Sequence, residues 1–141
     1  MSAYDDSAYQ DLVSRHVEIS RHPHISLLSY APDGVGVPTV IALAPYSGRF
    51  VTRLPEHSGT AERIAHSPAV FIAPCDSTGA LLRNPFPATA RIMASQELPV
   101  VTVALAAKYG WWYRLRHSTG CLGRLLHPRR FRQVGVELTV C

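Results

Sequence analysis

Apolar and polar positions alternate cleanly near the C-terminal end of this chain. Val134, Val136, Leu138 and Val140 share one face, and Gly135, Glu137 and Thr139 share the other. A period of two marks a strand with one buried face, so Phe131–Val140 reads as a closing strand. Ile25–Tyr30, Val37–Ala44, Arg49–Leu54, Ala69–Pro74 and Pro87–Ala94 are shorter apolar runs bounded by turn residues, and they read as strands too. Pro32-Asp33-Gly34 joins the first two as a hairpin, Pro45-Tyr46-Ser47-Gly48 joins the next pair, and Asp76–Gly79 turns the chain after the fourth.

Three segments read as helices. Asp5–His22 places Leu12, Val13, Val17 and Ile19 on its inner side and is stopped by Pro23. Ser58–His66 is a short helix opened by a Ser58-Gly59 turn. Pro99–Tyr109 has proline in its first turn and Gly110 past its end, although Val100–Val103 have the β-branched character of a strand. The element order predicts a mainly β (α+β) fold. About six mostly antiparallel strands close into a small barrel whose openings are covered by peripheral helices. The whole of 1–141 is expected to be one domain, with 1–22 as a helical extension.

Composition narrows the class. The chain is 47% apolar and 17% charged, which is ordinary for a globular protein and unlike a disordered one. No apolar run reaches the ~20 residues of a membrane span, and the acidic, polar start does not resemble a secretory signal. Three cysteines without CxxC spacing point to reduced thiols and a cytoplasmic protein. The net charge of +4 is uneven. Lys108, Arg114, Arg116, Arg124, Arg129, Arg130 and Arg132 fall in a span, Leu98–Val136, that has no Asp or Glu. Such a span suits an anionic ligand or a solvated face. With no nucleic-acid module in it, a small anion ranks above nucleic acid.

Most familiar catalytic patterns are missing. There is no GxSxG, GxGxxG or GxxxxGK[ST], and His22-Pro23-His24 has no Cys or carboxylate nearby to complete a metal set. What remains is an arginine-bearing strand, Arg49–Leu54 with Arg53, that runs into the Ser58-Gly59 turn and a helix. Free backbone N–H groups and the helix dipole make such a turn a place for a phosphate. The aromatic group Tyr109, Trp111, Trp112 and Tyr113, set among Lys108, Arg114 and Arg116, suits a pocket for a flat conjugated ring or a subunit contact. Cys75, at the end of an apolar strand, reads as a packed small hydrophobe.

Several motifs together resemble a known family. They are DGVGVPT at Asp33–Thr39, GRFVTR at Gly48–Arg53, SGTAERI at Ser58–Ile64, SPAVFIAPCDSTG at Ser67–Gly79, ATARIM at Ala88–Met93 and KYGWWYRL at Lys108–Leu115. Their order and spacing resemble the pyridoxamine-phosphate-oxidase-like split β-barrel proteins, and within them the actinobacterial branch that uses the deazaflavin coenzyme F420. The resemblance covers nearly all of Ile25–Val140. It implies a homodimer of packed barrels with cofactor sites at the interface. It places Arg53, Ser58, Gly59, Thr60 and Arg63 toward the cofactor phosphate, Thr39, Val40 and Ala42 along the ring, and Pro74 and Cys75 close to it. A reduced deazaflavin transfers hydride, so the protein would align donor and acceptor in a water-poor pocket.

The chain departs from the family pattern at the phosphate turn. Relatives usually read Gly-Lys there, with a further Lys-Arg pair; here the corresponding positions are Thr60, Glu62 and Arg63. The Val-Trp-Phe common in the second strand is Val40-Ile41-Ala42. The leading expectation is a deazaflavin-dependent reductase of an apolar conjugated small molecule. A second is a divergent barrel without cofactor, acting as a binding protein or an enzyme such as a cyclase. A third is a member that uses flavin mononucleotide or haem.

Overall fold

The computed structural model describes residues 3–110 and 132–141. Its elements run α1 (Ala3–Arg21), β1 (Ile25–Tyr30), β2 (Gly36–Ile41), β3 (Ala44–Tyr46), β4 (Arg49–Pro55), α2 (Gly59–His66), β5 (Ala69–Pro74), β6 (Phe86–Ile92) and β7 (Gln133–Val140). A 3₁₀ turn, Ser95–Glu97, precedes a helix, α3, that spans 98–110 within the described residues.

All seven strands form one antiparallel sheet, ordered β2-β1-β5-β6-β7-β4-β3. Its two edge strands, β2 and β3, are consecutive in the chain and joined only through Ala42 and Leu43. So short a link between opposite edges forces the sheet to curl into a half-barrel. Leu43, at the link, is fully buried. Pro38 and Pro45 both fall on these edge strands, where a missing N–H costs least.

The expected single strand Val37–Ala44 is split into β2 and β3 because Ala42 and Leu43 carry the chain from one edge of the sheet to the other. Ser47 (φ 52°) and Gly48 (φ 78°) form a two-residue turn with both φ positive, and Tyr46 pairs directly with Arg49. That hairpin geometry needs no other turn residue, so Pro45 and Tyr46 belong to β3 rather than to the turn.

Two apolar layers lie on opposite faces of the sheet. Inside the curl pack Ile25, Leu27, Ile41, Phe50, Leu54, Ile72, Val136 and Leu138, with Ile19 of α1 and Ile64 of α2. Outside, Val101, Ala104 and Leu105 of α3 pack on Val51 of β4 and on Met93. This outer layer explains why the Val100–Val103 run is helical. Gly135 of β7 lies beneath α3, where a Cβ would sit 3.1 Å from both Met93 Sδ and Val101 Cγ2.

The N-terminal helix departs from expectation. Only Ile19 enters the core, whereas Leu12, Val13 and Val17, read as inward-facing, are exposed together with Tyr9. The helix is held near its C-terminal half, with the His16 ring 5.0 Å from Phe50 and Arg15 Nη1 donating to Cys141 O at 2.9 Å. No described helix is long and apolar enough to cross a membrane.

Candidate functional site

The short third strand leaves a gap in the half-barrel. β3 pairs with β4 only over Arg49–Val51, so the Thr52–Pro55 half of β4 has a neighbour, β7, on one side alone. β2 likewise pairs only with β1. These two part-paired edges face one another across a cavity of about 380 Å³, lined by Thr39–Ala42, Thr52–Pro55, Leu105 and Gln133. The volume lies within the ~300–1,000 Å³ usual for small-molecule sites. Edge peptides with unmade hydrogen bonds offer donors and acceptors to a flat polar-rimmed ring.

Of the residues expected to hold a cofactor, Thr39, Val40, Ala42 and Arg53 line this seam cavity. Arg53 points to the outer side of β4, where its Nη1 donates to Thr102 Oγ1 of α3 at 3.3 Å. Thr52 also lines the cavity and was not singled out in the sequence. It is 2% exposed.

Ser58, Gly59, Thr60 and Arg63 come together at the start of α2. Ser58 is the N-cap, its hydroxyl accepting from Ala61 N at 3.2 Å. The amides of Gly59 and Thr60 lie ahead of the helix's own hydrogen-bond ladder. Thr60 Oγ1 is 3.0 Å from Thr39 Oγ1, which joins the helix start to the seam cavity. Arg63 folds back along the helix, donating from Nη2 to Thr60 Oγ1 at 3.1 Å and from Nε to Ser29 Oγ at 2.8 Å. Its Nη1 lies 2.9 Å from where a Gly59 Cβ would stand, so a side chain there would have to displace the flexible guanidinium.

This arrangement is electrostatically one-sided. A guanidinium is held over the positive end of a helix, and no described carboxylate pairs with it. The acidic residue of the first turn, Glu62, is exposed. An anion seated here would meet a cation, two hydroxyls and first-turn amides at once.

Other expected site residues lie elsewhere. Pro74 and Cys75 are buried at the end of β5 and do not line the seam cavity. Burial and neighbouring Asp76 push the Cys75 thiol pKa up, as befits a packed group. Lys108 is not part of an open basic surface. Its ammonium donates to Ile19 O at 3.0 Å, His22 O at 2.8 Å and Leu43 O, tying α3 to the end of α1 and to the seam link. Burial pushes its pKa down to about 8. Tyr109, expected in a substrate pocket, donates its phenol to Pro23 O at 2.7 Å, and burial pushes its pKa up to about 12. Trp111, Trp112 and Tyr113 lie outside the described residues. His22, just past the end of α1, has Nδ1 2.7 Å from Glu18 O.

No protein-family model and no curated protein matches this chain. Solved structures do. HutZ, a heme storage protein from Vibrio cholerae, is 13% identical, covers 92% of this chain and 90% of its own, and superposes with TM-score 0.62. A pyridoxamine 5'-phosphate oxidase-like protein from Listeria innocua is 9% identical, with 92% of each chain covered and TM-score 0.55. This chain has the pyridoxamine-phosphate-oxidase-like split-barrel fold. An F420 reductase is also similar, at 11% identity, TM-score 0.56, and coverage of 89% of this chain and 92% of its own. At such identities the likeness is one of fold.

Proposed function

We propose that this split-barrel protein is an oxidoreductase that binds the deazaflavin coenzyme F420 and carries a hydride between it and an apolar conjugated small molecule. The observation that supports this most is the Thr39–Thr60 contact, which makes the ring-sized seam cavity and the cationic start of α2 one continuous site. The residues present fit such a group. Arg63, the Thr60 hydroxyl and the first-turn amides of α2 would hold its phosphate. Thr39, Val40 and Ala42 would lie along the ring on one side and Thr52 and Arg53 on the other. The group, when bound, supplies the hydride chemistry; the protein fixes its orientation and keeps water from the apolar part of the seam.

The F420 reductase fold neighbour is consistent with this choice, and HutZ keeps haem in view as a ligand of the same fold. A homodimer is part of the proposal. The exposed stripe of Tyr9, Leu12, Val13 and Val17 on α1 is an apolar surface that a second copy would cover.

A second reading rests on Thr60. Its buried hydroxyl is already satisfied by Thr39 and Arg63, so the turn is complete without a phosphate. On that reading the barrel binds a small molecule without cofactor. Supplying chemically reduced F420 with a panel of conjugated enones separates the two readings. Protein-dependent return of the oxidised cofactor's absorbance supports the reductase. Absence of turnover across the panel, with no binding of F420, supports the second.

A further inference from the structure

The core-facing row of β1 contains one residue unlike its neighbours. Ile25, Leu27 and Ser29 follow one another at a spacing of two, and all three are fully buried. A hydroxyl in such a row needs a hydrogen-bond partner. Ser29 finds one far along the chain, where Arg63 Nε donates to its Oγ at 2.8 Å.

That bond decides which edge of the guanidinium is left for a ligand. Nε and the Nη2 hydrogen beside it make up one of the two forks through which arginine grips a pair of oxygens. Two protein hydroxyls take this fork, Ser29 through Nε and Thr60 through Nη2 at 3.1 Å. The other fork, at Nη1, lies against the first turn of α2, with Nη1 2.9 Å from the position of a Gly59 Cβ. A free arginine loses much rotamer freedom when it grips a ligand. One already held at two donors has lost most of it beforehand.

We infer that Ser29 is a positioning residue: it holds Arg63 so that the fork at Nη1 meets two oxygens of an anionic phosphate at the start of α2. This role rests on the reading of that turn as the seat of the cofactor phosphate. It adds a buried residue of β1 that acts only through Arg63.

Coenzyme F420 and its fragment lacking the phosphate are the probes, titrated into wild type, Ser29→Ala, Arg63→Met and the double variant. Ser29→Ala should weaken F420 binding about three- to tenfold, the worth of one net hydrogen bond, and leave the fragment unchanged. In the Arg63→Met background it should change nothing further, because the group it positions is gone. In the ligand-free protein, the Arg63 Nε–H signal, identified by its loss in Arg63→Met, should exchange faster in Ser29→Ala than in wild type. Should Ser29→Ala fail to fold, Ser29→Cys, close in size and a weaker acceptor, takes its place. F420 binding as tight in the variant as in wild type would overturn the role of Ser29, and so would an equal loss in both backgrounds. Wild type that binds F420 no better than the fragment, or not at all, would overturn the phosphate reading and this role with it.

Discussion

Thr39 Oγ1 and Thr60 Oγ1 lie 3.0 Å apart, which ties the edge strand β2 to the first turn of α2. Thr60 also accepts from Arg63, so one hydroxyl organises both the seam and the cation. Thr60→Val keeps the shape and removes both contacts. Equilibrium urea unfolding should show a loss of about 1–2 kcal/mol. An unchanged midpoint and slope would mean that the two contacts add nothing to the fold.

Arg63 is the cation held at the positive end of α2. Arg63→Met should weaken binding of coenzyme F420 by roughly ten- to a hundredfold, the worth of one charged hydrogen bond. Binding of an F420 fragment lacking the phosphate should change little. An equal loss for both ligands would show that Arg63 shapes the cavity rather than holding an anion.

Gly135 lies under α3, where a Cβ would be 3.1 Å from both Met93 Sδ and Val101 Cγ2 and each would have to give way slightly. Gly135→Ala must push back both Met93 and Val101, and overpacking of this kind costs about 1–3 kcal/mol. Thermal unfolding should fall accordingly, and Val101→Ala in the same chain should recover part of the loss. A variant as stable as wild type would mean that α3 moves freely on the sheet.

Lys108 satisfies three carbonyls from two separate segments. Lys108→Met keeps most of the stem but leaves those acceptors without their donor, and should cost about 1–3 kcal/mol. Hydrogen exchange should rise first at the end of α1 and around Leu43. Exchange unchanged at both places would contradict the clamp.

The strands were legible because their turns were. Ser47-Gly48 and Pro32-Asp33-Gly34 mark hairpins, and the alternation in 133–140 marks a strand with two distinct faces. The break between β2 and β3 was not legible. Val37–Ala44 is apolar throughout, and only tertiary closure decides that Ala42 and Leu43 carry the chain between edges. The exposed side of α1 was misjudged for a related reason: periodicity gives a helix an apolar stripe but does not say what covers it. Within the site, motif order brought Thr39, Val40, Ala42 and Arg53 to one cavity and Ser58–Arg63 to its rim. Thr52 had a visible signal, a polar residue in phase with inward-facing Phe50 and Leu54. The contacts of Lys108 and Tyr109 were not legible, because a local cluster of cations and aromatics does not reveal that two of them bond to carbonyls more than sixty residues away.

The most direct test of the account is a fluorescence titration of the purified protein with coenzyme F420, with flavin mononucleotide in parallel. Saturable binding of the deazaflavin, with flavin mononucleotide weaker, is the predicted result. No binding of either would contradict it, and would mean that the Thr39–Thr60–Arg63 cluster closes the seam instead of opening it to a phosphate.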